Sequence, residues 1–522
     1  MTHMSLTNIL NRQSVDGSFA DEDTLPSVFE TAWALHMLHD NPDVKQSADA
    51  GKAATWLLQQ KNEQWIFSDS VGIQFFVLSA ITRHNPGSIH GAPLAHILTQ
   101  LTSLELSEGG PYGSIPDSTT VDVGVNLMIA YFLSLLDVEL PALTQLIGGI
   151  DGDSPIVSSA FPDESPIRYV LQKMHKINTS TTSNVTVRKT NDSEQRIMDM
   201  ITDFARQQMH HTSLDMGNKA LEQIQKTMRG NQDKQMPLMA YYTREALGSN
   251  GSQFSNKIIA KLGLTNIFFW TAFIIYDDFW DNDEAANPQI LPTANLFARY
   301  YTHFFTNIFP AKPAFTTFFH ALMDQLDAAN TWETIYCRTT VENNIFSVPD
   351  VLPDYGDYSA KYAPASGHVL GPLALFTVLG QNVSSQDSGN LLRYFKHYLI
   401  GMQINDDAHD WEEDMQRGHL STVVVMLLSY WKTMYPHKTT IHMVNDLPEL
   451  QKIFWFKTIQ QACTAAMYHT DLSRQALHAI SVIENMAPLE YYINSTEKTA
   501  RDAMQEQQHS TDFISAYKKI NH

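Results

Sequence analysis

Residues 267–283 read Ile-Phe-Phe-Trp-Thr-Ala-Phe-Ile-Ile-Tyr-Asp-Asp-Phe-Trp-Asp-Asn-Asp, an apolar helix that runs into Asp277, Asp278, Asp281 and Asp283. At 3.6 residues per turn, Asp277 and Asp281 share one face, with Asp278 beside them. Like charges one turn apart destabilise a helix by a few tenths of a kcal/mol, and burying uncompensated carboxylates costs several times more. No Lys or Arg occurs from Asp278 through Ala298, so nothing local compensates. A divalent cation would. All-oxygen ligation selects Mg²⁺ or Mn²⁺, and Mg²⁺ typically combines one or two carboxylates with phosphate oxygens of a substrate. Taken alone, a cluster of this kind more often marks a solvated helix end.

A second cluster changes that balance. Residues 401–414, Gly-Met-Gln-Ile-Asn-Asp-Asp-Ala-His-Asp-Trp-Glu-Glu-Asp, again follow an apolar helical stretch. Asp406, Asp410 and Asp414 recur at i, i+4 and i+8, three carboxylates on one face over about 12 Å. Asn405, His409 and Glu413 form a competing register; the aspartate register is preferred because it offers only hard oxygen ligands. Two such clusters facing each other across a helical bundle could hold several metal ions around a diphosphate. Neutralising that group makes it a better leaving group by Lewis-acid action.

The composition agrees with a large folded protein. Of 522 residues, 43% are hydrophobic and 11% aromatic, far too many for a disordered chain. Lys and Arg number 35 against 56 Asp and Glu, a formal charge of −21 that disfavours a nucleic-acid partner. Two cysteines, Cys337 and Cys463, make neither a disulfide framework nor a thiolate zinc site, and point to a reducing compartment. The start, MTHMSLTNILNRQ, lacks the pattern of a signal peptide, so a cytoplasmic location is expected. The most apolar window, residues 262–276, is about fifteen residues long and interrupted by Thr265, Asn266 and Thr271, too short to span a bilayer.

A Ser/Thr/Asn-rich stretch, residues 178–193, reads as a linker between a domain of residues 1–177 and one of residues 194–522. Upstream, apolar helices at 28–39, 53–58, 72–81 and 125–136 alternate with polar turns that carry an aromatic: Gln13 to Phe19, Gln59 to Trp65 and Glu108 to Gly113. This is a repeat of about 45 to 50 residues. Its glutamine amides can bond backbone groups at helix ends while the aromatic covers the junction. Downstream, nearly every segment carries apolar residues at i, i+3 and i+4, which predicts an all-α bundle of roughly eight to twelve helices.

The turns QSVDGSF and EGGPYGS, each followed by an apolar helix, resemble the QW-type repeats of α/α-barrel prenyltransferases, squalene–hopene cyclases and terpene synthase β-domains. No DxDD occurs there, so the acid-initiated chemistry of some of those enzymes is not carried over. DDFWD at 277–281 resembles the first aspartate-rich motif of class I terpene synthases and trans-isoprenyl diphosphate synthases, and NDDAHDWEED at 405–414 stands where their second metal motif belongs. The resemblance implies a C-terminal class I isoprenoid-synthase bundle in which Asp277, Asp278, Asp281, Asp406, Asp410 and Asp414 bind several Mg²⁺ ions and a prenyl diphosphate.

Both families begin by ionising an allylic diphosphate, but chain extenders also bind isopentenyl diphosphate through arginines. In DKQMPLMAYYTREAL, residues 233–247, Gln235 and Met236 stand where those arginines belong, and residues 282–298 hold no Arg or Lys. This favours a lyase acting on farnesyl or geranylgeranyl diphosphate over elongation. For the leaving diphosphate, Arg338 in YCRTT and Lys361 in DYSAKYAPASG are rival cations, 68 and 45 residues before Asp406. Aromatic faces stabilise a carbocation. Phe269, Phe273 and Tyr276 share the face leading to Asp277 and are the expected contour of the apolar pocket. A helical scaffold that keeps the acids without the chemistry is the third reading.

Overall fold

The computed structural model describes residues 12–20, 26–41, 47–107, 110–115, 120–136, 138–150, 156, 158–161, 164–180, 191–230, 234–280 and 286–521. The chain is all-α. It divides into two compact units, residues 1–185 with 508–522, and residues 186–507.

The first unit carries helices Val28–His39, Ala48–Gln60, Val71–His84, Ala92–Ser103, Val123–Ser134, Pro141–Gly148 and Ser165–Ser180. Three of them repeat one device. The fourth residue of each accepts the backbone N–H of the aromatic in the preceding turn: Thr31 from Phe19 at 3.0 Å, Gln74 from Phe67 at 2.8 Å and Asn126 from Tyr112 at 2.8 Å. Gln74 and Asn126 return a bond of 2.8 Å to the carbonyls of Trp65 and Tyr112. Each amide thus satisfies turn backbone that burial would leave unpaired. The polar side chains that open these turns differ in where they bond. Gln13 does bond backbone, at Gly17 and Asp49, whereas Gln60 turns onto its own helix at Trp56, and Glu108 lies outside the described residues.

The second unit is built from helices Asp192–Met209, Leu214–Gly230, Gln235–Ala246, Asn256–Trp280, Leu291–His303, Pro313–Tyr336, Leu370–Val378, Gln386–Arg417, Thr422–Met434, Ile459–His478 and the first part of Ala487–Asn521, with shorter turns between them. The stretch expected to be a linker is helical at both ends. One helix runs to Ser180, and Asn191 caps the next in a capping box with Glu194; residues 181–190 lie outside the described residues. The one sheet among the described residues is a small antiparallel one, Val341–Glu342, Ile345–Ser347 and Thr440–His442.

Asn256–Trp280 is the central helix. It runs 25 residues, ten more than its most apolar window, and by length and composition alone it would pass for a membrane span. Burial explains its character: its most apolar window is 67% buried inside the protein, with Leu262, Ile267 and Phe269 in the core. A helix apolar all round belongs in a core, where each such side chain contributes about 1.5–3 kcal/mol of burial.

Candidate functional site

A cavity of about 480 Å³ opens beside the C-terminal end of this helix. Its walls come from several elements. Asn256–Trp280 contributes Trp270, Phe273, Ile274, Asp277 and Trp280. Gln386–Arg417 contributes Met402, Gln403, Asp406, Asp407, Asp410, Glu413, Asp414 and Arg417, one face of a helix over four turns. Asn330 and Glu333 enter from Pro313–Tyr336, and Lys361, Pro364 and Ala365 from the turns that follow.

Seven carboxylates meet three cationic side chains in this lining: Lys361, Arg417 and His419. Each cation is engaged. Lys361 Nζ lies 2.8 Å from Asp407 Oδ1, and Asp407 also accepts the Thr422 N–H at 3.1 Å. Burial alone would lower the Lys361 pKa, but Asp407 and Glu333 outweigh it and hold the amine above its ordinary value. Arg417 pairs with Glu413 one turn earlier. His419 bridges two acids, Nε2 3.1 Å from Glu333 Oε1 and Nδ1 3.2 Å from Asp414 Oδ1. Burial would depress this imidazole; the two carboxylates instead raise it to about 9. Glu333, which burial would raise, is held down at about 2 by His419, Lys361 and Arg338.

Local sequence makes that bridge. Gly418 ends the Gln386–Arg417 helix in the left-handed region at φ 74°, where a Cβ would also strike the Thr339 carbonyl at 2.2 Å. The reversal folds His419 back so that its own N–H bonds the Asp414 carbonyl at 2.8 Å.

Asp406 and Asp410 differ from their neighbours. Loss of surrounding solvent raises the Asp406 pKa, and Asp410 and Asp407 raise it further. Asp410 is raised for the same reasons, with Asp414 and Glu413 as its repelling neighbours. These two carboxylates, with Asp277 in the same lining, present hard oxygens that a divalent cation would satisfy. Among the described residues no three His, Cys, Asp or Glu side chains are already gathered around one ion position. Mg²⁺ fits such an arrangement when substrate phosphate oxygens complete the shell.

The sequence-predicted residues fall out unequally. Asp277, Asp406, Asp410, Asp414, Lys361 and Phe273 line the cavity; Asp278 is half-buried and outside the lining, and Asp281 lies outside the described residues. In the competing register only Glu413 reaches the cavity. Asn405 Nδ2 donates to the Thr496 carbonyl at 2.9 Å, and His409 Nδ1 meets the Asn405 carbonyl at 3.0 Å. Arg338 is outside the lining and pairs with Glu333 at 3.1 Å.

Two aromatics are corrected. Phe269 is 1% exposed, its ring tilted against Phe273 at 4.6 Å and pressed by Gly367, so it is core beside the cavity. Tyr276 turns away to donate to Asn295 Oδ1 at 2.7 Å. The stripe that does reach the cavity is Trp270, Phe273, Ile274, Asp277 and Trp280, which keeps Phe273 and Asp277 of the expected one and puts Trp270 in place of Phe269 and Tyr276. Sequence reasoning also missed Asp407, His419 and the placement of Glu333. Asp407 was legible as the second acid of the Asp406-Asp407 pair. His419 carried no signal, because only the helix reversal at Gly418 brings it to Asp414.

No family model matches the chain, and no curated protein matches it. Several solved structures resemble it over part of its length. A geranylgeranyl pyrophosphate synthetase from the archaeon Geoglobus acetivorans is 11% identical, over 58% of this chain and 98% of that one, with a TM-score of 0.43. A geranylgeranyl pyrophosphate synthase from Lactobacillus brevis is 12% identical, over 62% and 100%, with a TM-score of 0.45. A T. brucei farnesyl diphosphate synthase complexed with a bisphosphonate is 13% identical, over 59% and 99%, with a TM-score of 0.42. The chemistry of the cavity rests on its own residues.

Proposed function

We propose that residues 186–507 form a class I isoprenoid-synthase-type bundle that binds a linear prenyl diphosphate together with Mg²⁺ and ionises it, releasing pyrophosphate and a carbocation that cyclises. The observation that carries this reading is the composition of one cavity. Asp277, Asp406 and Asp410 stand on walls that also present Trp270 and Phe273. Hard anionic ligands beside an apolar aromatic surface suit a molecule with a diphosphate head and a hydrocarbon tail.

In this reading Asp277, Asp406 and Asp410 would hold the metal, with Asp278 beside Asp277 as a further ligand. Bound magnesium would neutralise the diphosphate and improve it as a leaving group. Lys361, kept protonated by Asp407, supplies a point charge to the leaving oxygens. Trp270 and Phe273 offer ring faces to the cation, and the surrounding apolar wall keeps water from quenching it.

Loss of pyrophosphate without chain extension is favoured by what meets the cavity where an extender needs guanidinium groups. Gln235 and Met236 line it there, both uncharged, and Gln235 Oε1 accepts the Tyr398 hydroxyl at 2.6 Å. A second diphosphate would lack bidentate partners at that place.

The test is incubation of the full chain with Mg²⁺ and geranyl, farnesyl or geranylgeranyl diphosphate, with and without isopentenyl diphosphate, following pyrophosphate and organic products. Pyrophosphate and a hydrocarbon or alcohol from one allylic substrate alone is the expected result. Product that forms only with isopentenyl diphosphate would replace this reading with chain elongation. No turnover with any chain length would leave a helical scaffold.

A further inference from the structure

Behind the aromatic wall lies a buried histidine that the proposed chemistry does not use. His368 is 1% exposed, at the end of the turn that begins beside Lys361. Two donors converge on its Nδ1: Asn266 Nδ2 at 3.0 Å and Trp270 Nε1 at 3.2 Å. An indole N–H can only donate. Nδ1 must therefore be an acceptor, and the imidazole is neutral with its proton on Nε2. Burial acts in the same direction, lowering the pKa to about 3.

The ring has little freedom. Gly367, just before it, is packed so tightly that a Cβ would stand 2.2–2.5 Å from the Phe269 ring. Trp270 meets His368 edge-on at 5.9 Å and 74°, and Phe395 meets it edge-on at 5.9 Å and 86°. Nε2 finds no hydrogen-bond partner among the described residues, so the directional contacts of the ring are all on its Nδ1 side. Asn266 is itself held, donating to the Met236 carbonyl at 2.6 Å. Trp270 and Met236 line the cavity; His368 and Asn266 do not.

We infer that His368 is a positioning residue that fixes the Trp270 indole as a wall of the cavity and so helps decide the product. The inference rests on the prenyl diphosphate reading given above. A ring whose N–H is tethered cannot rotate about its χ angles to follow the substrate, so the face it offers is the same at every turnover. Removing the acceptor lets the indole tilt, and a cation formed beside it meets a different surface.

Three variants of the full chain test this: His368→Leu, which removes the acceptor; His368→Asn, which keeps one; and Trp270→Phe, which keeps an aromatic ring but no donor. In ¹⁵N-tryptophan-labelled protein without substrate, the Trp270 indole N–H resonance is assigned by its loss in Trp270→Phe. It should shift and lose exchange protection in His368→Leu and keep most of both in His368→Asn. With the best prenyl diphosphate, His368→Leu should change the product ratio and lower kcat about tenfold while KM stays within about twofold, the pattern of lost transition-state positioning. On the Trp270→Phe background the same substitution should change the ratio no further. An unmoved indole signal in folded His368→Leu would overturn the anchor, and an unchanged product ratio with a moved signal would overturn its role in selection. Were the chain inert toward every prenyl diphosphate, the functional reading and its product claim would fall, while the indole signal would still decide the anchor.

Discussion

Lys361 Nζ stands 2.8 Å from Asp407 Oδ1, with side chains only 13% and 7% exposed. Removing one partner of such a pair strands the other charge in a poorly solvated place. Lys361→Met should destabilise the second unit by about 3 kcal/mol and abolish diphosphate release. Lys361→Met with Asp407→Leu should recover much of the stability and none of the turnover. Denaturant unfolding and pyrophosphate release separate the two effects.

Asp406 and Asp410 repel each other and their acidic neighbours, which raises both pKa values. Asp406→Asn or Asp410→Asn should therefore leave the metal-free protein as stable as before or more so by a few tenths of a kcal/mol. Turnover should fall at least a hundredfold, an estimate of about 3 kcal/mol in the barrier. Mg²⁺ with pyrophosphate should raise the wild-type melting temperature and leave that of the variants nearly unmoved.

His419 gives the fold a pH signature. Its pKa is raised to about 9 from an ordinary value near 6.5. The imidazolium bridge is thus fully stabilising below about pH 6.5, and its contribution fades as pH rises through about 9. The whole contribution is about 3 kcal/mol, shared with the depressed pKa of Glu333 rather than added to it. Urea midpoints from pH 6 to 9.5 should fall for the wild type, and His419→Gln should be less stable at pH 6 with a flatter profile. A parallel decline in both would show that another group governs this range.

Gly367 touches the Phe269 ring so closely that even a methyl group has no room. Gly367→Ala should destabilise the second unit by about 2 kcal/mol, the usual scale of overpacking. Phe269→Leu with Gly367→Ala should relieve part of it, since the smaller side chain yields the space. Thermal unfolding of the two variants checks the pairing.

Much of this was legible in one dimension. Helical periodicity identified the all-α class and placed the Val28–His39 helix at its true ends. The i, i+4, i+8 spacing of Asp406, Asp410 and Asp414 put them on one face, and all three line the cavity. Those are local properties, set by 3.6 residues per turn and the chemistry of neighbouring side chains. Of the expected aromatics only Phe273 lines the cavity, because several alignments of an all-apolar helix look alike until its neighbours choose which side is core.

Composition and spacing by themselves determined an acidic, helix-rich chain with two carboxylate clusters at apolar helix ends. Tertiary structure decided how the cavity charges are shared out: Lys361 with Asp407, and His419 between Asp414 and Glu333. It also decided that Trp270, not Phe269, faces the opening, with His368 behind it. The reason is physical. Lys361 and Asp407, His419 and Glu333, and Trp270 and His368 are each tens of positions apart in the chain, and long-range packing brings them to 2.8–3.2 Å.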